Sequence, residues 1–322
     1  MKNISEDILF AKSVLDKGNL VAIPTETVYG LAANAFKEDA VDKIYKLKDR
    51  PKNNPLIIHC HSIEQIEKYV KEIPKDAYEL AKQFWPGPLT ILLKKNNLIP
   101  DFVTAGSEYA AFRIPNHPIT LELLKSIDYP LVAPSANPSN RVSPTKAIHV
   151  YDYFKETIDF ILDGGDCIEG IESTIVHFDD GTPKILRPGS VTFQQLFYVT
   201  PSIEMNQEIQ DIPQAPGMSK KHYSPITPFI TIEKIDLKKI IKYQFEYPKI
   251  ALITQKKDFI SVKNIDVFSL SEKGDLNQIA TNLYDTLITL DSKKYDLIIT
   301  ELAPEVGVGI AINNRLKRAN NI

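Results

Sequence analysis

PTETVYGLAANAF (24–36), followed after a short acidic stretch by KIYKLKDRPKNNPLIIH (43–59), decides the fold. The apolar run Leu20 to Ile23 delivers two threonines and a glutamate into a Gly-containing loop. A helix-like segment follows, with Val41, Ile44 and Leu47 at spacings of three, and it ends in Lys48 and Arg50. Pro51 and Pro55 stiffen the chain before a second apolar run, Leu56 to Ile58, carries it to His59. Hydroxyls, fixed cations and a histidine are thus gathered at the ends of adjacent elements. Such a set holds a polyanion beside a small polar molecule. The pattern GxxxxGK[ST] of a P-loop is missing, and GVGIAI at Gly307 comes late and lacks the third glycine of a dinucleotide fingerprint.

The same alternation runs outward in both directions. Ser5 is placed to cap a first helix that buries Ile8, Leu9, Val14 and Leu15 and stops at Gly18. Helices are expected at SIEQIEKYV, KDAYELAKQF and ITLELLKSI, and strands at LVAIP, PLIIHC, WPGPLTILLKK, FRIP, YPLVAPSA and TIDFILDGG. ESTIVHF and KILRPGS read as neighbouring strands about the turn DDGT. Together these make a mixed α/β domain over residues 1–200. Residues 201–228 contain polar MNQEIQD and then PQAPGMSKKHYSP, a linker without periodicity. Beyond it IALIT, VFSL, a helix around Gln278 to Leu290, YDLIIT and a terminal helix with Ala311 to Ala319 suggest a small doubly wound unit over 229–322.

Length and composition agree with two domains, since single cores stop growing near 322 residues. Hydrophobic content of 43% and charged content of 25% are ordinary for a globular protein. A net charge of −3 advertises no general affinity for nucleic acid. Cys60 and Cys167 are too few for a common zinc site or a disulfide framework. The N-terminus reads as an amphipathic helix, no run reaches membrane-spanning length, and a cytoplasmic location is expected.

Several segments carry chemistry, each with a plainer reading beside it. Lys48 and Arg50 offer a point charge and a rigid donor fork to phosphate, or they merely end a helix. APSANPSNRVSPT (133–145) supplies Ser135, Asn137, Ser139 and Ser143 at a strand end, as an anion nest or as capped turns. Asn54 reads a nucleotide or caps the turn before Pro55. Arg113 in FRIP and Arg187 in KILRPGS sit in apolar settings, where each needs a carboxylate ligand or a structural partner. Glu172 is a structural carboxylate or pairs with a site cation. A Ser-His hydrolase from Ser135 or Ser173 with His59 lacks the G-x-S-x-G elbow.

With these residues in view, the chain resembles the YrdC/Sua5 family of L-threonylcarbamoyladenylate synthases in its long two-domain form. The matching segments are PTETVYGL, KLKDRPKNNPL, FWPGPLT, FRIPNHP, APSAN, SPT, DGG, GIEST and LRPGS, in order, then APGMSKKHYSP and GVGIAINNRLKRA. The resemblance implies a twisted mixed-sheet YrdC-like domain followed by a small Rossmann-like parallel α/β domain. It implies a nucleotidyltransferase that makes threonylcarbamoyl-AMP and pyrophosphate from L-threonine, bicarbonate and ATP with Mg²⁺. A separate transferase complex then uses the product to modify adenosine 37 of tRNA. Thr27, His59, Arg113, the Ala133 backbone and Ser173 are implied as threonine contacts. Arg50, Asn54, Ser135, Ser143 and Arg187 are implied as ATP contacts with Lys48 beside them, and Tyr223 of HYSP reaches the nucleotide from the linker. Tyr109 stands where a threonine commonly contacts ATP, and Asn140 and Ser219 stand where Gly and Lys are common. Lys48 and Arg50 are expected to stabilise charge on the transferring phosphates, with no protein metal site. The alternative from another class is a double-stranded RNA-binding module, to which the net charge and the lack of stacked aromatic repeats run contrary.

Overall fold

Strands of two to six residues, most of them rich in Ile, Leu, Val and Ala, build the frame that positions the polar ends. The structure, a computed structural model, describes residues 3–178, 182–206, 222–257 and 262–322. Most of the DDGT turn and residues 207–221 of the linker, with Ser219, lie outside the described residues.

The first sheet contains β1 (Ile4–Ser5), β2 (Val21–Ile23), β3 (Gly30–Asn34), β4 (Ile57–His59), β5 (Leu89–Lys94), β6 (Tyr109–Arg113), β7 (Leu131–Val132), β8 (Phe160–Leu162), β9 (Thr174–His177), β10 (Lys184–Arg187) and β11 (Glu204–Met205). Their spatial order is β1-β8-β2-β3-β7-β4-β6-β5-β9-β10-β11. Parallel pairs such as β4 with β6 alternate with antiparallel ones such as β5 with β6 and β9 with β10, so the sheet is mixed as expected. The helices between these strands are α1 (Ile8–Asp16), α2 (Glu38–Lys48), α3 (Ile63–Glu67), α4 (Lys75–Phe84), α5 (Asp101–Thr104), α6 (Pro118–Ser126), α7 (Ala147–Phe154) and α8 (Phe193–Val199). Local chemistry sets their ends. In α2, Glu38 and Asp39 begin the helix and Lys46 and Lys48 finish it, in accord with its dipole, before Asp49 turns left-handed at φ 52°. In α8, Thr192 and Gln195 form a reciprocal capping box.

The second sheet is wholly parallel, in the order β12-β15-β13-β14, from β12 (Phe229–Ile232), β13 (Ile250–Thr254), β14 (Ile265–Ser269) and β15 (Leu297–Glu301). Its helices are α9 (Leu237–Tyr243), α10 (Leu276–Ser292) and α11 (Gly309–Ala319). Alternate residues of β13 face opposite ways: Ile250 and Leu252 pack with Ile240 of α9, while Ala251 and Ile253 pack with α10 and α11. The second of these clusters also takes in Val28, Val142 and Ile171 from the first domain. One apolar core therefore runs through the domain junction.

Two local expectations are corrected. GLAAN, expected as loop, is β3: Leu31 and Ala33 join one core and Ala32 another, the period of a strand buried on both faces. Ser5 lies in β1 and does not cap α1. Asp7 caps it instead, accepting from the Phe10 amide at 2.9 Å, and the later start leaves Leu9 76% exposed.

Past β10 the chain presses Gly189 against the strand before it. A Cβ there would lie 2.4 Å from the Glu172 carbonyl oxygen and from backbone atoms of Ser173 and Thr174. Gly189→Ala is therefore expected to cost about 2–3 kcal/mol. The urea midpoint should fall with the slope unchanged.

Candidate active site

The strand ends of the first sheet meet the loop after β7 around a cavity of about 40 Å³. Arg50, His59, Arg113, Ala133, Ser135, Ser173, Arg187 and Tyr223, expected as contacts of two different substrates, all line it.

One side is built by β4 and β6. Their parallel register sets His59 directly beside Arg113. Arg113 is buried; its Nη2 donates to Thr27 Oγ1 at 2.8 Å and lies 2.9 Å from Glu26 Oε2. Its Nε–H is buried with no hydrogen-bond partner among the described residues. An unpartnered guanidinium donor beside a cavity suits a carboxylate ligand. Thr27 does not line the cavity; it steadies Arg113 from behind and is itself held by Thr25 Oγ1 at 2.8 Å. His59 stacks its Nδ1 3.2 Å from the Ile57 carbonyl, and burial, reinforced by Arg113, pushes its pKa down to about 3. No hydrogen bond joins His59 to Ser135 or Ser173, so the hydrolase arrangement is not assembled. Ser173 Oγ instead shares a 2.8 Å bond with Thr90 and accepts from Arg187 Nη2 at 3.1 Å.

The opposite side is held by cations on neutral oxygens. Arg50 follows α2 and donates through Nη2 to Asn54 Oδ1 at 2.5 Å and to the Pro55 carbonyl at 3.0 Å. Burial lowers its pKa to about 10, which leaves it protonated at neutral pH. Asn54 thus orients Arg50 and does not itself line the cavity. Lys48 is fully buried in the last turn of α2, and its ammonium donates to the carbonyls of Ser135, at 2.5 Å, and Asn137. Burial, then the nearby Arg50, holds its pKa well below the ordinary lysine range. Lys48 therefore fixes the loop that carries Ser135 and does not reach the cavity wall. In that loop Asn140 adopts φ 64°, the left-handed turn that asparagine tolerates. Tyr109 lies elsewhere, at the start of β6, with its ring edge-on to His177 at 4.6 Å.

The described end of the linker contributes two residues to the cavity wall. Tyr223 is buried at φ 67°, stacks with Tyr284 of α10 at 6.0 Å, and has a hydroxyl without a partner among the described residues. His222, not singled out from the sequence, lines the cavity beside it, and burial lowers its pKa to about 3. Glu172 also lines the cavity. It pairs with a cation outside the first domain: Arg315 Nε of α11 lies 2.9 Å from Glu172 Oε2. Ser143, expected as an ATP contact, donates to Glu172 Oε1 at 2.6 Å behind the wall. Arg315 lay within a quoted motif, GVGIAINNRLKRA, yet its partner stands far away in sequence.

Among the described residues no cluster of three or more His, Cys, Asp or Glu side chains could hold a metal ion. Nor is any described helix long and apolar enough to cross a membrane.

Fold and cavity together define a nucleotide-handling α/β protein with a second parallel α/β unit over its site. Residues 13–189 match the Sua5/YciO/YrdC family, described as Telomere recombination, and residues 191–321 match the family described as Threonylcarbamoyl-AMP synthase, C-terminal domain. The threonylcarbamoyl-AMP synthase of Pyrococcus abyssi is 40% identical over 325 residues, covering 97% of this chain and 94% of that protein. That of Bacillus subtilis is 41% identical over 317 residues, covering 96% and 91%. The crystal structure of P. abyssi Sua5 complexed with L-threonine aligns with a TM-score of 0.90 at 38% identity, covering 99% of this chain and 96% of that one. The chain belongs to the two-domain Sua5/YrdC family of threonylcarbamoyl-AMP synthases.

The two buried histidines set an acid limit. An unfolded histidine takes up its proton near pH 6.5, whereas His59 and His222 refuse theirs until about pH 3. Between those values the unfolded chain binds more protons, so stability falls as pH drops from 6.5 towards 3, by about 1.4 kcal/mol per pH unit per histidine. Denaturant titrations across pH 4–6 should show this slope, and His59→Gln should remove its own share.

Proposed function

We propose that the cavity binds L-threonine and ATP side by side and joins them through bicarbonate-derived carbon. The chain is a threonylcarbamoyl-AMP synthase, a nucleotidyltransferase that releases pyrophosphate. The observation that carries this reading is the convergence of Arg50, Arg113 and Arg187 with Ser135, Ser173 and His59 on one cavity. Such a wall favours two anionic substrates held together over a protein nucleophile.

Arg113 holds the threonine carboxylate with its remaining donor, beside His59, the Ala133 backbone and Ser173. Arg50 and Arg187 meet the ATP phosphates with Ser135. Lys48, Asn54, Thr27 and Ser143 serve the same ligands through the groups they hold in place. Tyr223 covers the nucleotide, while Tyr109, packed against His177 away from the cavity wall, takes no part in this assignment. The neutral threonine amine attacks the bicarbonate carbon, water leaves to give the carbamate, and the carbamate oxygen attacks the α-phosphorus and expels pyrophosphate; in the alternative order bicarbonate is first activated by phosphorylation. Catalysis then rests on positioning and on fixed positive charge. Glu172, the carboxylate on the cavity wall, is already engaged by Arg315 and Ser143. Mg²⁺ accordingly enters with ATP and is held by phosphate oxygens and water. The product supplies the modification of tRNA adenosine 37. We divide the chain at 1–200, 201–228 and 229–322, with the linker as a gate. A cavity of about 40 Å³ holds little more than water, whereas ligand sites run to roughly 300–1,000 Å³. Tyr223 must therefore swing aside to admit ATP.

Pyrophosphate release by the purified chain is expected to require both threonine and bicarbonate. Arg50→Ala should lower that rate by about 10²–10³, and a parental rate would remove Arg50 from this role. Tyr223→Ala should weaken ATP binding or release the labile intermediate early. Calorimetric ATP affinity together with product yield, both unchanged, would rule out the gate.

A further inference from the structure

The C-terminal domain reaches the candidate site from behind through two helices. α10 lays Thr281, Tyr284, Asp285 and Asp291 along the first domain, a spacing that keeps one helical face turned to it. Asp291 pairs with Arg141 at 2.7 Å, and Asp285 lies 3.1 Å from both Lys146 and His149. These partners flank Ser143 on the loop whose other end Lys48 holds. Contact is close enough to demand a glycine. At Gly170, φ 73°, a Cβ would lie 2.4 Å from Thr281 Cα and 2.5 Å from the Ala280 carbonyl oxygen. Two residues on, Tyr284 donates to Glu172 Oε2 at 3.0 Å, and Arg315 donates to the same oxygen and to the Pro188 carbonyl at 2.6 Å.

Glu172 is an acid on the wall of a cavity proposed to take a polyanion. Arg50 in that wall donates to the neutral oxygens of Asn54 and Pro55. A Glu172 side chain released from α11 would turn its charge to that cavity, attract the site's own cations and repel phosphate. We propose that Arg315, supported by Tyr284, is a positioning residue for ATP: it holds the Glu172 carboxylate on the C-terminal side of the wall. In this way the second domain keeps the cavity positive. The inference rests on the reading of the cavity as an ATP and threonine site.

The test uses the full chain and threonine- and bicarbonate-dependent pyrophosphate release, with KM measured separately for ATP and for threonine. Arg315→Met should raise the ATP KM by about tenfold or more. The threonine KM should change by less than about twofold, because Arg113 has its own carboxylate in Glu26. Removing the charge should rescue it: the E172Q/R315M pair is expected to return the ATP KM to within about threefold of parental. Equal rises in both KM values, or a double variant as poor as Arg315→Met, would show a merely structural tie and overturn the inference. If Arg315→Met does not fold, Tyr284→Phe decides, since it deletes one hydroxyl: an ATP KM raised by about threefold supports the proposal and a parental value sinks it. A parental chain that released no dependent pyrophosphate would sink the reading of the site itself. A working parental chain with unchanged variants would sink this inference alone.

Discussion

The buried carboxylate of Glu172 is the point on which both halves of the molecule depend. It accepts from Ser143, Tyr284 and Arg315, which belong to a loop of the first domain and two helices of the second. Its neighbour Ser173 accepts from Arg187 through its carbonyl at 2.9 Å. Taking such a charge out of water costs several kcal/mol, which only a full set of partners offsets. Burial would raise its pKa, but Arg315, Arg187 and Ser143 hold it down at about 2. The cluster is stable only when loop, strand and both helices are in place together. It therefore specifies one arrangement of the domains more than it adds net stability.

Around this point, positions come from the sheet and charges from buried side chains. The register of β4 with β6 fixes His59 beside Arg113 without any long side chain having to search for its partner. The loop after β7 is joined to the start of β3 by the bridge of Gly30 with Ser135, and two basic contacts add to it. Lys48 ties the carbonyls of Ser135 and Asn137, and Arg141 ties the far end to α10. Polar backbone that would otherwise be unsatisfied in a buried loop is thus met by a cation. Ser224 closes the set, its amide donating to the Asn140 carbonyl and its hydroxyl to that of Ala319.

Periodicity made most helices and strands legible, because the apolar residues of α2, α4 and β13 repeat at helix or strand spacing. GLAAN escaped because Gly, Ala and Asn carry no strand preference. Its strand character comes from neighbours on both sides, β2 and β7. Motifs brought much of the cavity wall into view but not His222, misplaced Tyr109, and gave no depth to the rest. Lys48, Thr27, Asn54 and Ser143 stand one layer behind the wall, each holding a group that faces it. That distinction depends on partners distant in the chain, such as Lys48 with Ser135, 87 residues away. Local spacing carries no record of such pairs. The same limit hid the partner of Glu172, which lies 143 residues further on.

The electrostatics of the cavity follow from how its cations are held. Arg50 is held among neutral oxygens, and burial costs it part of its ordinary affinity for a proton. A cation so placed is poorly solvated, which suits it to an anionic ligand. Donors fixed in this way need little reorganisation as charge moves from the α-phosphorus to pyrophosphate. Tyr223 is buried beside that wall, with its ring 5.4 Å from the Arg315 guanidinium. The ring stands against the same arginine that holds Glu172. The linker tyrosine and the acid on the wall therefore meet at a single side chain of the second domain.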